Sequence, residues 1–386
     1  MYLGSRSEHA VQIEQRRVVV TPVHTEKTRP LSPTLRGNET EVRSPTANKG
    51  CSPGGWAYRQ VVVSPFESDP VLVEVVRNGF VESVHRGRVA ITDPDGSLAS
   101  SVGADFAPMY PRSANKPLQA VGMLRAGLDL DAELLALVCA SHSGEAFQLD
   151  GVRRILAMSE LDEFALQMPA EWPLDQQARE DAIRDGVAKS PLAMNCSGKH
   201  AGMLRTAVLN NEDVASYRDP DHPTQLAIVQ AIDDLAHEQA TNLAIDGCGA
   251  PLYAISLYAL ARAFGRIVSA SDGAEYRVAT VIRNHPEYVS GTQRDELDLH
   301  RAIPGLVAKA GAESVYAAGL PDGRGIAIKI SDGHPRARPV AMAGVLRRLG
   351  FDHETLDDQA SAAVFGAGER VGEIRPCKET VSQLGA

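Results

Sequence analysis

The segment Val315–Ile330, which reads VYAAGLPDGRGIAIKI, carries the clearest fold signal in this chain. Two short apolar runs, Val315 to Ala318 and Ile326 to Ile330, flank a turn that contains Leu-Pro-Asp-Gly. The isoleucines of the second run occupy alternate positions, and alternation beside such a turn is typical of paired antiparallel strands. The segment therefore predicts a β-hairpin, and the apolar spacing that follows it predicts a helix over residues 341–349.

A second group of strands is predicted nearer the amino terminus. Apolar runs at Val71 to Val76, Phe80 to Val84 and Arg88 to Ile91 are interrupted by Asn78-Gly79 and followed by the turn Asp93-Pro94-Asp95-Gly96. Asn-Gly between two apolar runs is a hairpin signal. Most of the chain between the two groups of strands has helical spacing. The sequence therefore predicts an α+β fold, a mainly antiparallel sheet with a helical insertion.

The composition excludes several classes of protein. The 386 residues are 44% hydrophobic, and 39 Lys and Arg against 49 Asp and Glu give a net charge of −10. Phosphate backbones and anionic membrane surfaces repel such a surface, so we expect no nucleic-acid partner and no membrane partner. The longest near-apolar stretch, Leu252–Ala261, is far shorter than the roughly 18 residues of a membrane-spanning helix.

The first 58 residues differ in composition from the rest. They are rich in Ser, Thr, Pro and Asn and show no periodicity, a combination typical of disordered segments. We expect a disordered leader over residues 1–58 and a single domain over residues 59–386. Five scattered cysteines and the lack of an apolar signal region at the start favour a reduced, cytoplasmic location.

A Ser-x-x-Lys motif, Ser113 and Lys116, lies where an extended segment gives way to a predicted helix. A spacing of three puts the lysine one turn along on the same face, within reach of the serine hydroxyl. A neutral lysine amine can take the serine proton, which makes the pair a candidate nucleophile and base. For an isolated motif the alternative is more frequent: a serine that caps the helix, followed by a solvated lysine.

Two further polar clusters follow apolar runs. Ser141 begins the cluster Ser-His-Ser-Gly-Glu, which either positions a substrate or caps the helix after Glu145. Asp246 lies between a short predicted strand and a glycine turn, with a helix predicted from Leu252. Its carboxylate is a candidate ligand for a substrate ammonium, and the alternative is an aspartate that only stabilises the turn.

The cluster from Asn195 to Met203, NCSGKHAGM, superficially resembles a phosphate-binding loop. That loop needs an entry glycine and a hydroxyl after the lysine, whereas this chain has Ala193 and His200 there, so nucleotide binding is excluded. The chain has no Cys-x-x-Cys and no His-x-x-x-His. Spacing alone therefore favours two buried, reduced thiols at Cys196 and Cys248 over a metal site.

Taken together and in order, these clusters resemble one family, the bacterial type II or Rhizobium-type (thermolabile) L-asparaginases. The resemblance extends from about Val73 to Leu349 and includes a weaker match at Lys309–Glu313. The segments that carry it are Arg112–Pro117, Ala140–Glu145, Asn195–His200 and Asp246–Pro251.

The resemblance implies a fold similar to serine β-lactamases and serine-dependent glutaminases, a single catalytic domain and a homodimer. It also implies hydrolysis of the side-chain amide of L-asparagine to L-aspartate and ammonia. A glutaminase-like serine amidohydrolase and a non-catalytic amino-acid-binding protein are the alternatives. Lys329-Ile330-Ser331 stands where β-lactamases have Lys-Thr-Gly, which argues against penicillin chemistry.

The family's functional residues map onto seven positions of this sequence, and three further candidates are proposed from their own chemistry. Two Ser-Lys pairs are implied, and a zinc ion is implied as cofactor. We expect Ser113 to attack the amide with Lys116 as base, Arg112 and Asp246 to bind the α-carboxylate and α-ammonium, and His200 to orient the lysine or bind substrate. The implied pairs are Ser113 with Lys116 and Ser141 with Lys309, and the implied zinc ligands are Cys196, Lys199 and Cys248.

Overall fold

The computed structural model describes residues 69–385. The disorder predicted for residues 1–58 and the domain boundary predicted after residue 58 both lie outside this range. Within it the strands are β1 (Val71–Arg77), β2 (Phe80–Thr92), β3 (Leu98–Val102), β4 (Pro108–Met109), β5 (Thr241–Ile245), β6 (Pro251–Ser256), β7 (Val307–Gly311), β8 (Val315–Gly319), β9 (Gly325–Ile330), β10 (Ala362–Gly366) and β11 (Glu369–Pro376).

The α-helices of the described residues lie mostly between β3 and β7. They are α1 (Lys116–Arg125), α2 (Ala132–Val138), α3 (Ala146–Ala157), α4 (Gln176–Arg184), α5 (Ser197–Leu209), α6 (Pro223–Ala236), α7 (Leu257–Ser269), α8 (Gly273–Asn284), α9 (Pro286–Val289), α10 (Asp295–Ala302), α11 (Ala337–Arg348), α12 (Glu354–Ala360) and α13 (Lys378–Val381).

The large sheet confirms the predicted fold class. Its strand order is β10-β11-β1-β2-β9-β8-β7, and β3 also pairs with β2. Every strand pair within residues 69–385 is antiparallel. The predicted hairpin is β8 and β9, which pair from Val315 and Lys329 to Gly319 and Gly325. The predicted helix 341–349 forms the later part of α11.

The Asn-Gly turn between β1 and β2 forms as predicted. Asn78 and Gly79 have φ of 47° and 81°, and a tight two-residue hairpin turn needs positive φ at both positions. The two runs predicted after this turn form one long strand, because β2 pairs with β1 through Arg86 and with β9 from Gly87 onward. β2 therefore connects the strands of the amino-terminal half to those of the carboxy-terminal half.

The sheet is packed on both faces. Ile326, Ile328 and Ile330 of β9 share an apolar cluster with α11, whereas Ala327 between them belongs to a second cluster with α7. The α7 helix lies very close to the sheet: a Cβ on Gly325 would collide with the Ala261 carbonyl oxygen. Glycine and alanine on this face of β9 therefore allow helix and sheet backbones to meet directly.

The helix predicted from Leu252 begins five residues later, at Leu257. The residues Pro251–Ser256 form β6, the central strand of a second sheet with order β4-β6-β5. The Ser256 hydroxyl accepts the Ala259 N–H and caps α7. The prediction was wrong because a short apolar run fits a strand and a buried helix equally well. None of the helices within residues 69–385 has both the length and the apolar character needed to cross a membrane.

Replacing Gly325 by alanine is expected to destabilise the fold. The new Cβ would force α7 and β9 apart, and overpacking of this kind costs about 1–3 kcal/mol of unfolding free energy. Urea unfolding of Gly325→Ala should show this loss, whereas Gly385→Ala is the control because its Cβ would meet only Ser100, at 3.7 Å. Equal midpoints for Gly325→Ala and the unaltered chain would contradict the close packing of α7 on β9.

Candidate active site

A cleft of about 540 Å³ lies beside the amino end of α1, the end of β7 and the loops that precede α5 and β6. Six of the ten predicted site residues line it: Arg112, Ser113, Ser141, Cys196, Asp246 and Cys248. The other four, Lys116, Lys199, His200 and Lys309, are buried. The structure therefore presents hydroxyl, thiol and charged groups at the cleft and keeps three amines and one imidazole inside the protein.

The backbone is strained on two sides of the cleft. Arg112, in the 3₁₀ turn Arg112–Asn115, has a φ of 50°, and Glu313 and Ser314, after β7, have φ of 56° and 51°. Residues other than glycine rarely adopt this left-handed conformation, and such strain concentrates at functional sites. A Cβ on Gly311 would lie 2.9 Å from the Ala114 nitrogen, so β7 supports the turn that carries Ser113.

Lys116 contacts the second serine. Its Nζ donates to the Ser141 hydroxyl at 3.1 Å and also to the Ala140 carbonyl oxygen and the Cys196 sulfur. Within residues 69–385 the Ser113 hydroxyl forms no side-chain hydrogen bond. The pairing of Lys116 with Ser113 is therefore corrected to Lys116 with Ser141, because the buried amine is turned toward acceptors at the end of α2 that satisfy it.

Lys309 is paired with a carboxylate. Its Nζ donates to Glu296 Oε1 at 3.0 Å and to the Ala310 carbonyl at 2.7 Å, and both side chains are fully buried. The implied pairing of Lys309 with Ser141 is thus replaced by an ion pair that the sequence analysis missed. Burial lowers the pKa of Lys309 to about 8, against the opposing effect of Glu296.

Glu296 also binds the backbone and a second cation. Its Oε1 accepts the Ala310 N–H at 2.8 Å, and its Oε2 accepts from Arg294 at 2.7 Å. Burial raises the pKa of this carboxyl group, but Lys309 and then Arg294 outweigh burial and hold the pKa well below its usual range. Nothing in the local sequence distinguishes Glu296 from an ordinary acidic residue at the start of a helix.

The three implied zinc ligands lie together. Lys199 Nζ is 3.2 Å from the Cys248 sulfur. A hydrogen bond from Cys196 lowers the pKa of the Cys248 thiol to about 5, and the same bond raises the pKa of Cys196. Burial lowers the pKa of Lys199, but negative charge on the two sulfurs outweighs burial and raises it overall.

This donor set fits a zinc ion. Zinc binds sulfur at about 2.3 Å and nitrogen at about 2.0 Å, so a sulfur and a nitrogen of one tetrahedral site lie roughly 3.5 Å apart. The 3.2 Å between Lys199 and Cys248 is close to that separation. The amine must lose its proton to bind a metal, so zinc binding would release protons.

Arg112 and Asp246, the two predicted substrate-binding residues, bind each other. Arg112 Nε donates to Asp246 Oδ1 at 2.7 Å, and Arg112 Nη1 lies 3.9 Å from Glu313. Burial raises the pKa of Asp246, but Lys199 and Arg112 outweigh it and lower the pKa overall. Both side chains still line the cleft, so the pair forms one charged wall of it.

His200 does not line the cleft. Its Nδ1 lies 2.8 Å from the Tyr217 hydroxyl. That hydroxyl accepts a hydrogen bond from the Gln167 N–H, so its own O–H is available to donate to His200. Burial holds the pKa of His200 well below its usual range. The ring is therefore neutral and forms a hydrogen bond with a buried tyrosine. Of the two roles expected of His200, only the orientation of the lysine stays a prediction.

Three charged residues at the cleft were missed by the sequence analysis: Arg294, Glu313 and Arg338. Glu313 belongs to the weaker matching segment Lys309–Glu313, so its presence in that segment was the available signal. The two arginines precede or lie within ordinary helices, and no local pattern distinguishes them.

The fold therefore combines helices and an antiparallel sheet with two serines at one cleft and lysines buried beneath it. The chain matches the model of the L-asparaginase II family over residues 73–376, and it belongs to that family. No curated protein matches the chain.

Several solved structures are similar to the chain. Native Mglu has 13% identity and a TM-score of 0.39, with 74% of this chain and 69% of that one covered. A beta-lactamase from Mycobacterium bovis has 14% identity and a TM-score of 0.36, with coverage of 68% and 94%. EstCE1, described as a hydrolase with promiscuous acyltransferase activity, has 12% identity and a TM-score of 0.30, with coverage of 70% and 93%.

The buried Lys309 amine predicts a pH-dependent contribution to stability. Its pKa of about 8 in the folded protein lies below the value of about 10.4 for an unfolded lysine. Between these values the unfolded chain binds more protons, so stability rises with pH. Relative to Lys309→Met, the wild-type protein should gain about 2 to 3 kcal/mol of unfolding free energy from pH 7.5 to 10.

Urea unfolding of both proteins across this pH range measures the gain. Arg301→Gln is the control, because Arg301 is exposed and an arginine does not titrate in this range. A constant difference between wild type and Lys309→Met would show that Lys309 remains fully protonated in the folded protein over this range.

Proposed function

We propose that this member of the L-asparaginase II family is a Rhizobium-type L-asparaginase, which hydrolyses the side-chain amide of L-asparagine to L-aspartate and ammonia. The observation that carries the proposal is that Ser113 and Ser141 line one cleft while Lys116 Nζ lies 3.1 Å from the Ser141 hydroxyl. A hydroxyl nucleophile, with a second hydroxyl and an amine as proton acceptors, is a set of groups that can catalyse amide hydrolysis.

In the proposed mechanism the Ser113 oxygen attacks the amide carbon. The Ser113 proton passes to Ser141, whose own proton passes to Lys116, since the structure joins Lys116 to Ser141 rather than to Ser113. In this step Lys116 reacts as the neutral amine, which donates to the Ala140 carbonyl and Cys196 and directs its lone pair at the Ser141 hydroxyl. Protonated Lys116 then returns a proton through Ser141 to the leaving nitrogen, and ammonia departs. Water hydrolyses the resulting ester of Ser113 by the same proton path in reverse, which releases aspartate and restores both serines.

Lys309 contributes charge in this scheme. Its amine forms an ion pair with Glu296. The nearby Lys116 repels this positive charge and lowers the pKa of Lys309. We propose that this second cation favours the negative charge that develops on the amide oxygen, a kind of stabilisation worth about 10² to 10³ in rate where it has been removed by mutation.

Substrate recognition begins at Asp246. We propose that its carboxylate, which is about 10% exposed at the cleft, binds the α-ammonium of asparagine while Arg112 fixes its orientation. Binding of the α-carboxylate by Arg112 stays a prediction. L-Glutamine is the natural competitor, because one methylene group changes discrimination by only about 1 to 3 kcal/mol.

We further propose that Cys196, Lys199 and Cys248 hold a zinc ion. Bound zinc supplies a Lewis acid at the cleft. The chain contributes two sulfur ligands, one of which already has a lowered pKa, and an amine that releases its proton on binding. We also propose a homodimer in the cytoplasm, on the family resemblance and on the buried, unbridged cysteines among the described residues.

Ser113→Ala is expected to reduce ammonia release from L-asparagine to background, because the proposed nucleophile is lost. Ser141→Ala should retain a small fraction of the activity, since water can replace a proton relay but cannot replace the acylated oxygen. The measurement is ammonia release from L-asparagine and, separately, from L-glutamine at matched zinc. Ser271→Ala is the control, because Ser271 is exposed and outside the cleft lining.

The outcomes separate the alternatives. A Ser113→Ala protein with most of its activity would move the nucleophile to Ser141. Faster release from glutamine than from asparagine would favour the glutaminase-like alternative. A folded wild-type protein that releases ammonia from neither amino acid would contradict the proposed function.

Cys248→Ser is expected to abolish stoichiometric zinc binding, because a hydroxyl is a much poorer zinc ligand than a thiolate. Metal analysis of purified protein after zinc loading and desalting measures this. Cys139→Ser is the matched control, since Cys139 is also a buried free cysteine and is outside the cleft lining. Equal zinc content in the two variants would rule out Cys248 as a ligand.

A further inference from the structure

The arginines at the cleft differ in how their charge is balanced. Arg112 donates to Asp246 at 2.7 Å, and Arg338 donates to Asp295 at 2.8 Å. Each of these arginines therefore has a carboxylate partner at hydrogen-bond distance. The third, Arg294, shares its partner with another cation.

The shared partner is Glu296. Arg294 Nη2 donates to one oxygen of Glu296 at 2.7 Å, and Lys309 Nζ donates to the other at 3.0 Å. Within residues 69–385, this part of the cleft wall brings together three cations, Arg294, Arg338 and Lys309, and two carboxylates, Asp295 and Glu296. One positive charge is left over.

Of these cations, Arg294 is the one whose positive charge a ligand in the cleft can contact. Its side chain is 20% exposed and lines the cleft, whereas Glu296 and Lys309 are completely buried. Only one of its guanidinium nitrogens donates to a described residue, so further N–H donors remain. A guanidinium offers pairs of parallel donors that match the two oxygens of a carboxylate.

We propose that Arg294 binds the α-carboxylate of the substrate and so determines specificity for free amino acids. This inference rests on the proposed function, since it assumes an amino-acid substrate. The substrate then lies between Asp246, which takes its ammonium group, and Arg294, which takes its carboxylate. Both residues line the same cleft as the two serines.

Arg112 is a poorer carboxylate site in this geometry. Its guanidinium is bound to Asp246, and Glu313 lies 3.9 Å away. A substrate carboxylate placed on Arg112 would therefore approach two negative side chains, and like charges at close range disfavour binding. Within residues 69–385 the one carboxylate that forms an ion pair with Arg294 is Glu296, whose charge Lys309 already balances.

The test compares two ligands that differ at one group. L-Aspartate has an α-carboxylate, and L-isoasparagine has an amide in its place. Calorimetric titration of both into wild type, Arg294→Gln and Arg112→Gln measures the preference for the carboxylate. Arg301→Gln removes one positive charge from an exposed position of α10, the helix that begins just after Arg294, and is the matched control.

The Arg294→Gln protein is expected to bind L-aspartate roughly 10- to 100-fold more weakly and to lose its preference over L-isoasparagine, as for the loss of a charge-assisted pair. Arg112→Gln and Arg301→Gln should keep that preference. Arg294→Lys, which keeps the charge without the paired donors, should show an intermediate preference for L-aspartate. If Arg294→Gln does not fold, the comparison is made with Arg294→Lys.

An unchanged preference in Arg294→Gln, or a preference lost only in Arg112→Gln, would overturn the inference. Wild type that binds no L-aspartate would overturn it as well. Because binding is measured without turnover, the proposed function can fail separately: wild type that releases no ammonia from asparagine, with a carboxylate preference that depends on Arg294, refutes the asparaginase and supports the carboxylate site.

Discussion

The buried carboxylate of Glu296 holds one side of the cleft together. It accepts hydrogen bonds from the Lys309 amine, from the Ala310 backbone and from Arg294. Through these contacts the start of α10 is fixed to β7, and β7 in turn supports the turn that carries Ser113. An unpaired buried charge is costly, so the lysine, the glutamate and the arginine must all be in place before this wall can form.

The fold was largely predictable where turn chemistry and alternation agree. The Pro-Asp-Gly turn with alternating isoleucines marked β8 and β9, and Asn78-Gly79 marked the turn after β1. The strand β6 was predicted as helix because its identity depends on β4 and β5, which contribute backbone partners from elsewhere in the chain. The strand β7 was not predicted either, since its small, fully buried residues show no alternation of polar and apolar positions.

The site was predictable as a set of residues but not as a set of contacts. Six of the expected residues do line one cleft. However, Lys116 is joined to a serine 25 residues away rather than to the one three residues before it. Spacing describes which groups share a face of a helix, whereas a buried amine takes whatever acceptors the tertiary structure supplies. Glu296 and Arg294 left no local pattern, because their importance comes entirely from partners distant in sequence.

The left-handed backbone at Arg112, Glu313 and Ser314 also has an evolutionary consequence. Each such residue costs of the order of 1 kcal/mol or more that a glycine at the same position would avoid. Selection for heat resistance alone would therefore accumulate glycine at these three positions and would remove two charged side chains from the cleft in the process. In this protein, glycine substitutions at these residues would raise thermal stability and remove charged side chains from the cleft. Stability and the charge of the cleft therefore change in opposite directions.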